Sequence, residues 1–287
     1  MNKVYEIITQ KIIEQLEKGV VPWRKPWMGS KINYVSRRSY RGINLFLLDK
    51  KGEYLTWNQI NKLGGMVKKG SSSEIVVFYK TLEKVEEEEN PDTGEIEEVT
   101  RVIPLLRYYR VFHIDDVKGI ESKLDNIDVD PLEEGEKIID GYRGEVNNIE
   151  IKPSDRAYYS PLEDKVVIPE LKQFNDPAEF YSTAFHEIAH STGHWTRLKR
   201  FTPDNLNIFG SDSYSKEELI AELAACMLCS AAGIDTSDTF NNSASYISSW
   251  LSKLQNDKKL IVQASNEAQK ACDFILSEDV KEDIKSA

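Results

Sequence analysis

Three of the four histidines of this 287-residue chain fall within eleven residues, "AFHEIAHSTGH", Ala184 to His194. His186 and His190 are four apart, so on a helix they share one face, one turn apart. Two imidazoles in that relation can grip one Zn²⁺, with Mn²⁺ or another divalent ion as the alternative. Glu187, beside His186, is placed to act as general base on water at such a centre. Phe185, Ile188 and Ala189 supply the apolar side of the helix, and Gly193 ends it.

A catalytic site of this kind needs a third protein ligand. A histidine six residues after His190 would complete a three-histidine set, but that position is Thr196. His194 follows after Gly193 has broken the helix. It is read as covering the helix end, or as a group outside the ligand set that supports the site or contacts substrate. The better source is "SYSKEELIAELAACML", where Glu218 and Glu222 are four apart among apolar residues. A glutamate on the buried side of a helix needs a partner, and a metal is one. Glu218 is read as the ligand and Glu222 as the carboxylate that orients a ligand histidine. Glu222 as the ligand is the rival, and Glu217 is expected in solvent. The expected chemistry is metal-assisted hydrolysis of a peptide, with Glu187 taking the proton of water. "DKVVIP" is the candidate edge strand for holding an extended substrate. Tyr246 or His194 is the candidate oxyanion donor.

Charge divides the chain. Residues 1–80 hold 15 Lys+Arg against 6 Asp+Glu, net +9, while the whole chain is −11. A basic half joined to an acidic one points to a polyanion meeting only the first. In "VVPWRKPWMGSKINYVSRRSYRGINLFLL", basic residues alternate with rings. Trp23, Arg24, Lys25, Trp27, Arg37, Arg38, Tyr40 and Arg41, with Lys68 and Lys69 further on, are the candidate contacts for single-stranded nucleic acid. Cations would track phosphates and rings stack on unpaired bases. The alternative is an ordinary basic surface over core tryptophans. Trp57, beside Leu55 and Ile60, is expected in the core, and His113 is expected to be structural.

The elements that must position these groups are legible in outline. "MNKVYEIITQKIIEQLEKG" has apolar residues at helical spacing and no signal-peptide core. Pro22 and Pro26 keep the two tryptophans off a helix. Thr56 caps a helix closed by Gly64–Gly65, and strands follow at 74–79 and in "LLRYYRVFHI". The acidic segment 83–98 reads as a solvated hairpin tip around Asn-Pro-Asp-Thr-Gly. The polar run "ESKLDNIDVDPLEEGE" is the linker candidate, which divides the chain into 1–128 and 129–287. In the second half come a short helix, three strands, a helix starting at Pro177 after Asp176, and helices at 216–232, 243–256 and 260–276. There is no apolar run long enough for a transmembrane helix. Three cysteines, Cys226, Cys229 and Cys272, fit reduced thiols of a cytoplasm, with the first two as small core residues.

Taken in order, these pieces resemble the ArdC family of antirestriction proteins, carried by conjugative plasmids and other mobile elements. "PWRKPW", "YRGINLFLL", "YLTWNQINKLGGMVKKG", "VVFYK" and "YRVFHIDDVKG" are similar to that family's N-terminal single-stranded-DNA-binding domain, itself related to the N-terminal region of TraC-type primases. "RAYYSPLEDKVVIP", "HEIAHSTGHWTRLKR", "YSKEELIAELAACMLCSAAGI" and the segment from "ASYISSW" to "CDFIL" are similar to its zincin-type metallopeptidase domain. The resemblance implies an α+β chain of two domains: an N-terminal mixed α/β nucleic-acid-binding domain and a C-terminal zincin-like metallopeptidase domain. It implies binding of single-stranded DNA and protection of incoming DNA from restriction. "ELIAELAA" resembles the ExxxD helix of thermolysin-like zincins, with Glu218 at the ligand position and Glu222 where those enzymes carry Asp. Two functions follow as expectations. One is a zinc peptidase tethered to DNA that cleaves an unidentified host protein. The other is a non-catalytic single-stranded-DNA-binding protein whose metal domain is structural or a protein-interaction module. Neither involves a membrane.

Overall fold

The computed structural model describes residues 3–24, 30–89, 96–124, 130–145, 148–202, 212–236 and 244–277. Lys25, Trp27, the hairpin turn at 90–95 and the expected boundary near 128 lie outside the described residues.

The first helix, α1 (Lys3–Glu17), buries the stripe Val4, Ile8, Ile12 and Leu16 that its spacing predicts. It lies against helices of the second half, α7 (Ala244–Asn256) and α8 (Leu260–Ile275). The hydroxyl of Thr9 donates to the carbonyl of Lys258 at 2.7 Å. A 3-10 turn, Pro22–Arg24, follows.

A four-stranded sheet has the order β1 (Lys31–Asn33), β2 (Gly52–Thr56), β5 (Ile96–His113), β4 (Glu74–Glu89). β1 runs parallel to β2, and the other pairs are antiparallel. The one-turn helix α2 (Asn44–Leu47) is buried against β4, where the Asn44 amide satisfies both backbone groups of Val77. Thr56 ends β2 and caps α3 (Trp57–Lys62) through a capping box with Gln59. The acidic segment extends the hairpin ladder without a break, from Glu74 opposite Val111 to Glu89 opposite Ile96. A two-stranded sheet joins β3 (Met66–Val67) to β6 (Val117–Lys118).

In the second half, α4 (Pro131–Glu145) precedes a three-stranded sheet of order β7 (Ile149–Ile151), β9 (Lys165–Ile168), β8 (Tyr158–Ser160). β9, expected as the edge strand, is the central one, paired with β7 on one side and β8 on the other. Its run of Val166, Val167 and Ile168 is buried, as suits a strand flanked on both sides. The edges of this sheet are β7 and β8. Two helices complete the frame: α5 (Pro177–Ser191) and α6 (Asp212–Ala232), which starts four residues before the expected Lys216.

The largest hydrophobic core draws on both halves, from Val4, Ile8, Ile12 and Trp23 to Phe185, Leu219, Trp250 and Leu254. No described helix is long and apolar enough to cross a membrane.

Candidate metal centre

α5 begins where the Asp176 side chain accepts from the amide of Ala178 at 2.8 Å, with Pro177 in the first turn. Phe180, Tyr181, Ala184, Phe185, Ile188 and Ala189 are buried, which anchors the helix and fixes the direction of its remaining face. His186, Glu187 and His190 are on that half-buried side. α6 packs across α5 and brings up Glu218.

His186 Nε2 and His190 Nε2 are 3.1 Å apart. The Glu218 carboxylate is 3.6 Å from the first and 3.5 Å from the second. Two ligand atoms about 2.1 Å from one ion at a tetrahedral angle are about 3.4 Å apart. The three side chains thus have the mutual spacing of a metal ligand set, and their ligand atoms all lie within 4.8 Å of one another. Imidazole, imidazole and carboxylate suit a divalent ion, so this is a divalent-metal site. Burial alone would lower the pKa of His186, but Glu218, Glu187 and Glu222 overcome it and raise the value. The same negative field favours a cation.

The carboxylate that orients a ligand is Glu217, not Glu222. Glu217, expected in solvent, is 4% exposed and accepts from His190 Nδ1 at 3.2 Å. Because an ionised carboxylate only accepts, the proton of neutral His190 sits on Nδ1, which leaves the Nε2 lone pair facing His186 and Glu218. Arg200 grips Glu217 in a two-pronged pair, both contacts at 2.9 Å, and also holds the Ala189 carbonyl and the Thr192 hydroxyl. Burial would raise the pKa of Glu217, but the hydrogen bonds from His190 and Arg200 outweigh it and hold the carboxyl below its usual range. Gly193 makes this possible: a Cβ there would come within 2.7 Å of the Phe201 ring and 3.1 Å of the Arg200 guanidinium.

Glu222 faces a different set. It accepts from the Trp23 indole at 3.0 Å and from the Tyr246 hydroxyl, and Arg24 approaches it at 3.7 Å. Tyr246, a candidate oxyanion donor, is thus engaged by Glu222, and burial raises its pKa. The Arg24 guanidinium lies 3.7 Å over the Tyr246 ring. A cavity of about 240 Å³ opens beside His186, walled by Ser182 and Thr183 of α5, Glu222 and Cys226 of α6, and Trp23 and Arg24. Cys226 lines it as a thiol that burial pushes up to about 12, and Cys229 is buried in the core.

His194 is 4% exposed and lies outside the ligand set. Its Nδ1 contacts the Thr196 hydroxyl at 2.7 Å, and its ring lies on Trp195. Beside it, Arg197 pairs with both oxygens of Asp164, which ties the β8–β9 turn to the end of α5.

The candidate nucleic-acid residues that are described do not form one surface. Trp23 is 1% exposed, edge-on to Trp250, because its indole N–H is committed to Glu222. Tyr40 is buried edge-on to Tyr54. Arg37 is paired with Glu53, and Arg41 with Asp273 of α8. Arg38, Lys68 and Lys69 are exposed. Trp57, expected in the core, is 54% exposed. His113 is buried and bonds the carbonyl of Lys51 at 2.8 Å.

Residues 2–112 match the family model described as the N-terminal domain of anti-restriction factor ArdC, and residues 136–267 match that of a zincin-like metallopeptidase. Two DNA primase TraC proteins of Escherichia coli are 29% and 31% identical over 97% of this chain, which spans 20% and 27% of their lengths. The uncharacterized protein y4eC of Sinorhizobium fredii is 30% identical over 95% of this chain and 91% of its own. Two crystal structures of the antirestriction ArdC protein from the R388 plasmid are similar throughout. The metal-free one has a TM-score of 0.70 at 34% identity, covering 95% of this chain and 96% of its own. The Mn(II)-bound one has 0.71 at 33% identity, covering 95% and 97%.

Proposed function

Since the chain belongs to the ArdC family of antirestriction proteins, we propose that it protects the incoming DNA of a mobile element by binding single strands and cleaving a host protein with a zinc-dependent peptidase site. The observation that carries the peptidase reading is the grouping of His186, His190 and Glu218 with Glu187 alongside. A purely structural ion has no use for a base at that position. Two nitrogens and one oxygen suit Zn²⁺, and Mn²⁺, which the R388 relative holds, is the other candidate.

His186, His190 and Glu218 would hold the ion, which would supply the Lewis acidity that amide hydrolysis needs. The chain's own groups do the rest. Glu187 accepts a proton from the attacking water and returns it to the departing amine. Glu217, clamped by Arg200, keeps His190 in the tautomer that binds metal. The cavity beside His186 takes a substrate side chain next to the scissile bond. Single-stranded DNA binding rests on the basic character of the first 80 residues and on the family of the N-terminal segment.

Glu187→Gln tests the reading. The variant should bind metal and oligonucleotide like the parent and lose protection of a plasmid entering a restricting recipient. Full protection by a metal-loaded Glu187→Gln protein would show that coating of single strands suffices and that hydrolysis is not the function.

A further inference from the structure

Trp23 and Tyr40, expected to stack on bases, are buried, yet the N-terminal half does present aromatic surface elsewhere. Trp57 is 54% exposed and Tyr108 41% exposed. A single exposed ring is ordinary on a protein surface; rings aligned with a cation between them form a patch. Trp57 is held in place by the capping box of α3, and its ring centroid is 6.1 Å from that of Phe112 on β5. Phe112, Arg110 and Tyr108 alternate along β5 and therefore share one face, about 6.8 Å from one to the next. Arg110 is exposed and donates to the Ser73 hydroxyl at 3.1 Å. At the Phe112 end, the exposed Lys68 ammonium reaches the carbonyl of Asp115.

Two exposed rings and a guanidinium in a row, with the half-buried Phe112 packed on the core between Trp57 and Arg110 and an ammonium at one end, match a nucleic acid whose bases are unpaired. Ring faces stack on open bases, and cations meet phosphates. In a duplex the base faces are already occupied, so the arrangement selects single strands. Trp57 and Lys68 lie in the stretch that carries net +9, residues 1–80, and Arg110 supplies the cation on β5. Further out on the same hairpin the sequence runs through four consecutive glutamates, 86 to 89, which repel phosphate and mark where a bound strand must end.

We propose that the face of Trp57, Phe112, Arg110 and Tyr108 at the base of the β4–β5 hairpin is the single-stranded-DNA-binding surface. This placement replaces Trp23 and Tyr40, and it rests on the single-stranded-DNA reading proposed above. Trp57 and Tyr108 are the stacking residues, and Arg110 is the phosphate contact.

The test is binding of a fluorescent oligodeoxythymidylate to the full chain at low salt, with a duplex of equal length and an oligouridylate alongside. The parent should bind the two single strands and bind the duplex more weakly. Trp57→Ala and Tyr108→Ala should each lose about 5- to 100-fold in affinity. Trp57→Phe should keep most of it, and Arg110→Gln should weaken binding while flattening its salt dependence. Thermal unfolding of each variant within a few degrees of the parent keeps the comparison fair, since all three side chains are exposed. If the parent binds and the Trp57→Ala, Tyr108→Ala double variant binds within twofold of it, the surface is wrong and single-strand binding stands. If the parent binds no oligonucleotide, the single-strand reading itself fails with it.

Discussion

At the scale of single residues, the metal centre depends on a carboxylate that never touches the ion. Glu217 sets the tautomer of His190 and is itself set by Arg200. Glu217→Ala leaves a buried guanidinium unpaired and His190 free to turn, so metal affinity should fall about 10- to 100-fold in a chelator competition. Glu222→Gln should change metal affinity by less than that, because Glu222 bonds Trp23 and Tyr246 and no ligand histidine. The histidine spacing was readable from the sequence because helical period puts both on one face; Glu218 and Glu222 share a face of their own helix, so period left them rivals, and the resemblance of "ELIAELAA" to the ExxxD helix supported Glu218. Glu217 was misread for a reason that can be stated. α6 is buried over most of its circumference, at Leu219, Ile220, Ala221, Leu223, Ala224 and Ala225, and its half-buried stripe is Glu218, Glu222 and Cys226, so Glu217 falls on the covered side. Every carboxylate in that stretch needed a partner, and Arg200 was available seventeen residues earlier.

At the scale of elements, the histidine-bearing helix α5 is held at its C-terminal end by two devices. Gly193 admits Phe201 and Arg200, so Gly193→Ala should destabilise the fold by about 1–3 kcal/mol in denaturant titration and weaken metal binding with it. Asp164 joins the β8–β9 turn to Arg197 and Tyr159. Burial would raise its pKa, but the hydrogen bonds from Arg197 and Tyr159 hold it below the usual aspartate value. A carboxyl depressed on folding stabilises the protein above its unfolded pKa, and that contribution is lost as pH falls through the lower folded value. Asp164→Asn keeps a side chain that tolerates the left-handed backbone at this position, φ +48°. Its melting temperature should sit about 2–4 °C below the parent near pH 7, and the two should converge as the pH drops below the ordinary aspartate range. The strands themselves were legible as strands from their β-branched runs. Their neighbours were not, because pairing order depends on long-range contacts, and so β9 proved to be the centre of its sheet.

At the scale of the whole molecule, the basic half and the metal-bearing half share one hydrophobic core. α1 lies on α7 and α8, and Trp23 packs on Trp250 while bonding Glu222. Metal-free protein should therefore unfold in a single thermal transition by calorimetry; two separated transitions would show that the halves melt independently. Composition made the charge division plain, but it could not show which rings of the basic half are structural. A tryptophan beside two prolines and a tryptophan inside an apolar helix look alike in sequence. In the fold the first is core and the second is surface, because Trp23 is covered from the far end of the chain and Trp57 sits at the exposed start of α3. The central proposition, a divalent-metal peptidase site built on α5 and α6, is tested most directly by anomalous diffraction from crystals soaked with Zn²⁺. One peak should appear about 2.0–2.2 Å from His186 Nε2, His190 Nε2 and an oxygen of Glu218, with Glu217 still against His190 Nδ1. A peak coordinated by Glu222 in place of Glu218, or no peak at these histidines, would contradict it.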